Sequence, residues 1–291
     1  MINLTKQRNY TTNTEYMALR KHLSTALLLL ALLPGCSDSD TTSSSPSKGD
    51  PITRTHNEHL PIPPPMKTAP PPYPWEKDMV ANLPKITKEF FRCKGSPLNP
   101  ERIQEQNGKI LRIADCGGSE KHSLPLNNQR EFIYPILIDL MNYIQRQTGK
   151  KVVITSGHRC PEHNAYVDSS TPNTYSKHLI AAETSFYVQG LEYEPQHIVN
   201  ILLDYYRDNP KYQNQYAFQL FHRYEKSDTN VSIQPWFNKE IFIKLFQKEE
   251  GRNFDNRHPF PYISIQVRYD TDLNERVTYS WDRAQKNYLR R

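Results

Sequence analysis

Residues 151–164 read Lys-Val-Val-Ile-Thr-Ser-Gly-His-Arg-Cys-Pro-Glu-His-Asn, and residues 176–188 read Ser-Lys-His-Leu-Ile-Ala-Ala-Glu-Thr-Ser-Phe-Tyr-Val. Lys151 to Thr155 and Ala182 to Val188 are rich in β-branched and aromatic side chains and read as strands, the first leading through a loop into a helix. Alternation then assigns faces: Thr184, Phe186 and Val188 look one way, Glu183, Ser185 and Tyr187 the other. A late run, Tyr262 to Tyr269, repeats the pattern, with Ile263, Ile265 and Val267 opposite Ser264, Gln266 and Arg268. Ser185 and Ser264 therefore fall on polar strand faces.

Two amphipathic helices flank these strands. Ile133, Leu137, Leu140, Met141 and Ile144 follow helical spacing, with Pro135 in the first turn and Gly149 as a stop. Ile198, Ile201, Leu202 and Tyr205 do the same from about Pro195 to Asn209, closed by Pro210. Further strands are expected over Tyr216 to His222 and Arg276 to Trp281. Short strands mixed with isolated helices predict an α+β fold with a mainly antiparallel sheet.

The ends of the chain are of another kind. Of its 291 residues only 36% are hydrophobic, yet 18 Tyr and 11 Phe are too many for a chain disordered throughout. Arg20, Lys21 and His22 precede an apolar run from Leu23 to Leu33, too short to span a bilayer that needs about 20 residues, and residues 1–35 read as a signal peptide. Leu33, Pro34, Gly35 and Cys36 resemble the bacterial lipobox, which implies lipidation of Cys36 and a bacterial envelope protein facing the periplasm, with Ser37 favouring the outer membrane. Acyl chains on Cys36 would make the membrane a partner. From Ser37 to Trp75, 39 residues hold ten of the 23 prolines, so residues 36–75 read as a lipidated cysteine and a Pro/Ser-rich linker. Residues 76–129 form an N-terminal extension and 130–291 the main domain.

The formal charge of +6 shrinks when residues 1–35 are removed, because Lys6, Arg8, Arg20 and Lys21 leave with only Glu15; the remainder carries +3. No basic stripe interleaves with aromatics, so nucleic acid is not an expected partner. Lys151 and the tail from Arg283 to Arg291 read as solvated surface.

With Cys36 lipidated, Cys93, Cys116 and Cys160 make an odd set in an oxidising compartment. A Cys93 to Cys116 disulfide would staple the extension and leave Cys160 free, although Cys160 could pair with either. The lack of any C-x-x-C argues against a structural zinc site.

The stretch Ser156-Gly157-His158-Arg159, the pair His163-Asn164 and Ser176-Lys177-His178 together resemble peptidase family M15, the zinc D-Ala-D-Ala carboxypeptidases of the hedgehog/D,D-peptidase fold. The resemblance covers about residues 130–285, with its specific motifs on some 30 positions. It implies that His178 is the first metal ligand, that the second belongs seven residues later and the third in the late strand. Those positions hold Ser185 and Ser264, Ala181 stands where a glycine is expected, and Gln266 occupies the nearest acidic position. Hydroxyls are poor zinc donors, so only His178 of the metal set is retained and no catalytic residue is assigned.

What the resemblance leaves is a groove for binding: Arg159 as partner of a peptide carboxylate, with Ser156, His163, Asn164, His178, Ser185, Ser264 and Gln266 around it. The expected function is a lipid-anchored, non-catalytic homologue that binds peptidoglycan stem peptide or an envelope protein, with no cofactor. The first alternative is an active zinc D,D-carboxypeptidase or endopeptidase with rewired ligands, in which Glu183 joins His178 and one of His158, His163, His222 or His258. The second is a structural envelope scaffold.

Overall fold

The computed structural model describes residues 78–106 and 108–290, all within one compact unit spanning Lys67–Arg291. The stretches read from the sequence as a signal peptide, a lipidated Cys36 and a proline-rich linker lie outside the described residues. Within them, the apolar runs form a six-stranded sheet: β1 (Val152–Ser156), β2 (Glu183–Val188), β3 (His222–Arg223), β4 (Trp236–Phe237), β5 (Ile241–Phe246) and β6 (Tyr262–Val267). Its order is β1-β2-β6-β5-β4-β3 and every neighbouring pair is antiparallel. The chain is thus α+β, mixed helix with an antiparallel sheet.

Register decides what each face carries. Phe186 pairs with Ile263, Thr184 with Ile265, and these continue to Leu245 and Ile243, so one face is a continuous apolar surface. It is covered by α1 (Pro135–Thr148) and α3 (Pro195–Asp208), which also pack on each other. Leu137, Leu140, Met141 and Ile144 are fully buried from α1, and Val199 and Leu202 from α3. Each such aliphatic side chain contributes about 1.5–3 kcal/mol. Gly149 ends α1 in the left-handed region, its N–H donating to the Gln145 carbonyl, as the sequence expects.

The other face is polar, and one irregularity shapes it. Ile154 pairs with Phe186, but Ser156 rather than Thr155 pairs with Ser185. The extra residue is a β-bulge that turns Ser156 onto the polar face. Ser156, Ser185 and Ser264 consequently lie in one cross-strand row, since Ser185 also pairs with Ser264.

The N-terminal segment is part of the core rather than a cover. Ile86 and Phe91 are fully buried. The Asn142 side chain on α1 accepts from the Ile86 N–H at 2.9 Å and donates to the Ile86 carbonyl at 2.7 Å. His158 N–H donates to the Phe91 carbonyl at 2.7 Å, and a Cβ on Gly157 would lie 2.4 Å from that oxygen. Glycine is required there by close backbone approach.

Three strand expectations are corrected. Tyr216 to His222 is not a strand: Tyr216–Gln219 is a helical turn, α4, and only His222–Arg223 pairs. Phe218 is the sole buried side chain of that turn, so no alternating face existed to hold an extended chain. The run Arg276 to Trp281 divides into Glu275–Arg276, paired with Tyr269–Asp270, and a helix, α5 (Trp281–Gln285), capped by Ser280. Accordingly the late strand stops at Val267 and Tyr269 belongs to that small hairpin. The central strand β5, Ile-Phe-Ile-Lys-Leu-Phe, was not anticipated. α2 (Pro161–Val167) follows β1, with the Cys160 side chain accepting from the His163 N–H. No described helix is long and apolar enough to cross a membrane.

Candidate functional site

The polar face of the sheet gathers most of the candidate residues. His178 sits in a 3-10 turn, Lys177–Ile180, begun by the Ser176 hydroxyl, which accepts the His178 N–H, and ended by Ala181 in the left-handed region at φ 56°. That is the conformation a glycine adopts freely, and Ala181 stands where the resemblance expects one. His178 Nδ1 lies 2.7 Å from the Gly157 carbonyl, so Nδ1–H donates and Nε2 carries the lone pair. Nε2 is 3.8 Å from Glu183 Oε1. Burial foremost, with the Arg159 charge, lowers His178 to about 4, leaving it neutral at neutral pH.

Glu183 is buried on β2 and its carboxylate is held by neutral donors: Ser264 Oγ at 2.7 Å and Gln266 Nε2 at 3.1 Å. Burial works against ionisation, yet nearby charge and these hydrogen bonds keep its carboxyl below the usual range. With His178 neutral at neutral pH, the carboxylate rests on the Lys244 charge and on these two hydrogen bonds. Lys177, lowered to about 8 by burial, donates from Nζ to the Val267 carbonyl at 2.6 Å.

This donor set does not fit a catalytic zinc. Among the described residues Glu183 is the one carboxylate within 4 Å of His178 Nε2, Ser185 and Ser264 offer hydroxyls, and Ser264 already donates to Glu183. Among the described residues no group of three potential ligands includes His178. The other histidines point elsewhere. His158 faces His122 and Tyr288, His222 packs on Phe237, and His258 lies between Tyr187 and Phe260.

A second network takes up Arg159, His163 and Asn164. Arg159 Nε donates at 2.8 Å to both Asp255 Oδ2 and Ser156 Oγ. His163 lies between two carboxylates, Nδ1 at 2.7 Å from Asp115 and Nε2 at 3.0 Å from Asp255. Burial would lower its pKa, but the two hydrogen-bonded carboxylates prevail and raise it to about 9, so both ring nitrogens donate. Asp255 is held well below the usual carboxylate range, against its burial, by Arg159 and His163. Two cations and two anions thus neutralise each other in the interior. Asn164 and Asn173 exchange reciprocal side-chain to carbonyl bonds at 2.8 Å, latching the 3-10 turn at 171–175. The Arg159 side chain is 3% exposed and engaged by Asp255, so the expected pairing with a peptide carboxylate is not what the guanidinium does here. Asp115 and Asp255 were missed because nothing in the chain marks residues 48 and 92 positions away from His163 as its partners.

The three cysteines converge on a third cluster. Cys93 and Cys116 Sγ are 3.8 Å apart, about twice the ~2.05 Å of a disulfide, and all three thiols are free; the expected Cys93 to Cys116 disulfide is not formed. Cys160 joins them, as does His122, whose Nε2 is 3.6 Å from Cys116 Sγ. The four ligand atoms lie within 4.8 Å of one another and all four residues are buried. This set could hold a metal.

A shallow cleft with about 190 Å³ of free space is lined by Leu126, Phe132, Tyr134 and Ile180 with Asp270 and Arg283, Ile180 being the last residue of the turn that carries His178. No protein-family model, curated protein or solved structure matches the chain.

Proposed function

We propose that the chain is a lipid-anchored envelope protein whose domain is a non-catalytic relative of the zinc D,D-peptidases, with the hedgehog/D,D-peptidase fold, acting as a binding module for peptidoglycan stem peptide. The observation that carries this reading is the closed bonding of Glu183. Where a peptidase would open three metal ligands to a water, a buried carboxylate is capped by Ser264 and Gln266 beside a neutral His178. Both hydrogen bonds go to Oε1 and tie β2 to β6.

Binding is then assigned to the open cleft instead of to Arg159. The cleft has room for a peptide terminus rather than a whole peptide, about half of its lining is aromatic or aliphatic, and Arg283, about half exposed and 3.8 Å from the Glu275 carboxylate, offers a guanidinium that a terminal carboxylate would share with Glu275. This moves Arg283 from solvated tail to binding residue.

The test is co-sedimentation of the full chain with purified peptidoglycan sacculi. Retention that falls at least tenfold in Arg283→Glu supports the reading. Retention unaffected by that change, or none at all, contradicts it and favours a protein partner or a scaffold role.

A further inference from the structure

We propose that Cys93, Cys116, His122 and Cys160 form a Cys3His zinc centre that pins the N-terminal segment to the loop entering α2. Two of the six edges between the ligand atoms have tetrahedral lengths, and all six are within 4.8 Å. Bonds of about 2.3 Å to sulfur and about 2.0 Å to nitrogen set ligand edges of about 3.8 Å between sulfurs and about 3.5 Å between sulfur and nitrogen. The observed edges are 3.8 Å for Cys93 to Cys116 and 3.6 Å for Cys116 to His122.

Surrounding groups are arranged as they are around bound metals. His122 Nδ1 lies 3.1 Å from the Ser123 carbonyl, which fixes the tautomer and turns the Nε2 lone pair towards the sulfurs. Backbone N–H groups donate to the sulfurs, Gly118 to Cys116 at 3.3 Å and His163 to Cys160 at 3.4 Å, as thiolates require. The chain makes room for the cluster: a Cβ on Gly95 would lie 2.1 Å from Cys116 Sγ, and Gly118 turns with φ +78°. Three thiolates and an imidazole, all buried, select zinc over the hard cations. Four protein ligands leave no coordination position for water or substrate, so the centre is structural. On binding, the thiols release their protons to solvent and no electrons move.

The centre accounts for three features at once. It uses all three cysteines, which a disulfide cannot. It gives the segment from Ile86 to Leu124 a second attachment besides its apolar anchors. It also borders the ion network, because Asp115 beside Cys116 and His163 beside Cys160 share a hydrogen bond at 2.7 Å.

The experiment is metal analysis of the full chain purified under reducing conditions. About one zinc per chain is expected, lost in Cys160→Ser and retained in His178→Ala. Because a cysteine variant can misfold, the wild-type protein supplies a second measurement. Alkylation mapped by mass spectrometry should find Cys93, Cys116 and Cys160 protected together until a chelator is added, and cobalt substitution should give a thiolate-to-cobalt charge-transfer band. Folded reduced protein without stoichiometric zinc, a mapped disulfide between any two of the three, or zinc lost with His178→Ala and kept with Cys160→Ser would each overturn the assignment. None of these outcomes depends on whether sacculi are bound.

Discussion

Arg159 and Asp255, 96 residues apart in the chain, form a buried ion pair at 2.8 Å, with side chains 3% and 4% exposed. The guanidinium that a substrate groove would present is instead part of the interior, and His163 completes the arrangement from the other carboxylate oxygen.

Removing Asp255 leaves two buried cations without their shared partner. Asp255→Ala should destabilise the domain by about 3–5 kcal/mol, whereas Asp255→Asn, which keeps acceptor oxygen and volume, should cost less. Denaturant midpoints at pH 7 with unchanged slopes check this. An Asp255→Ala midpoint equal to wild type would mean that the pair is not formed.

His178 gives a pH dependence of defined sign. Its folded pKa is lowered to about 4, against about 6.5 in an unfolded chain. Between these values the unfolded state binds the extra proton. The contribution is therefore fully present above pH 6.5 and is lost as pH falls through 4, with about 2 kcal/mol lost between pH 7.5 and pH 5. Arg159, Glu183 and Asp255 face the ring and share its field. The stability difference between wild type and His178→Gln should narrow by that amount over this interval; parallel pH profiles would contradict the assignment.

Gly157 reports whether the N-terminal segment belongs to the core. Gly157→Ala forces a Cβ against the Phe91 carbonyl and should cost about 1–3 kcal/mol, with loss of hydrogen-exchange protection at the His158 amide. Unchanged protection would mean that Phe91 does not dock there.

The sequence reading succeeded where one element carries its own pattern. α1 and α3 combine helical spacing with a proline start and a clear stop, and alternation alone placed Ser185 and Ser264 on one face. It failed where partners decide. The run Ile241–Phe246 gave no alternation to read and the short Tyr216 turn had no partner strand. Cys93, Cys116, His122 and Cys160 come together from three separate segments without any close pair of cysteines. Asp115 and Asp255 are ordinary aspartates until the fold sets them around His163. The groove inferred around Arg159 was legible as a set of residues, but its closure was not, because burial depends on Asp255 from a distant turn.

The proposed binding role requires that the His178 site does not hydrolyse. Release of D-alanine from a pentapeptide ending in D-Ala-D-Ala, measured for wild type and His178→Ala with zinc supplied, tests it most directly. The closed Glu183 network predicts equal, background release from both proteins. Release by wild type that disappears in His178→Ala would contradict it and establish a zinc peptidase with a rewired ligand set.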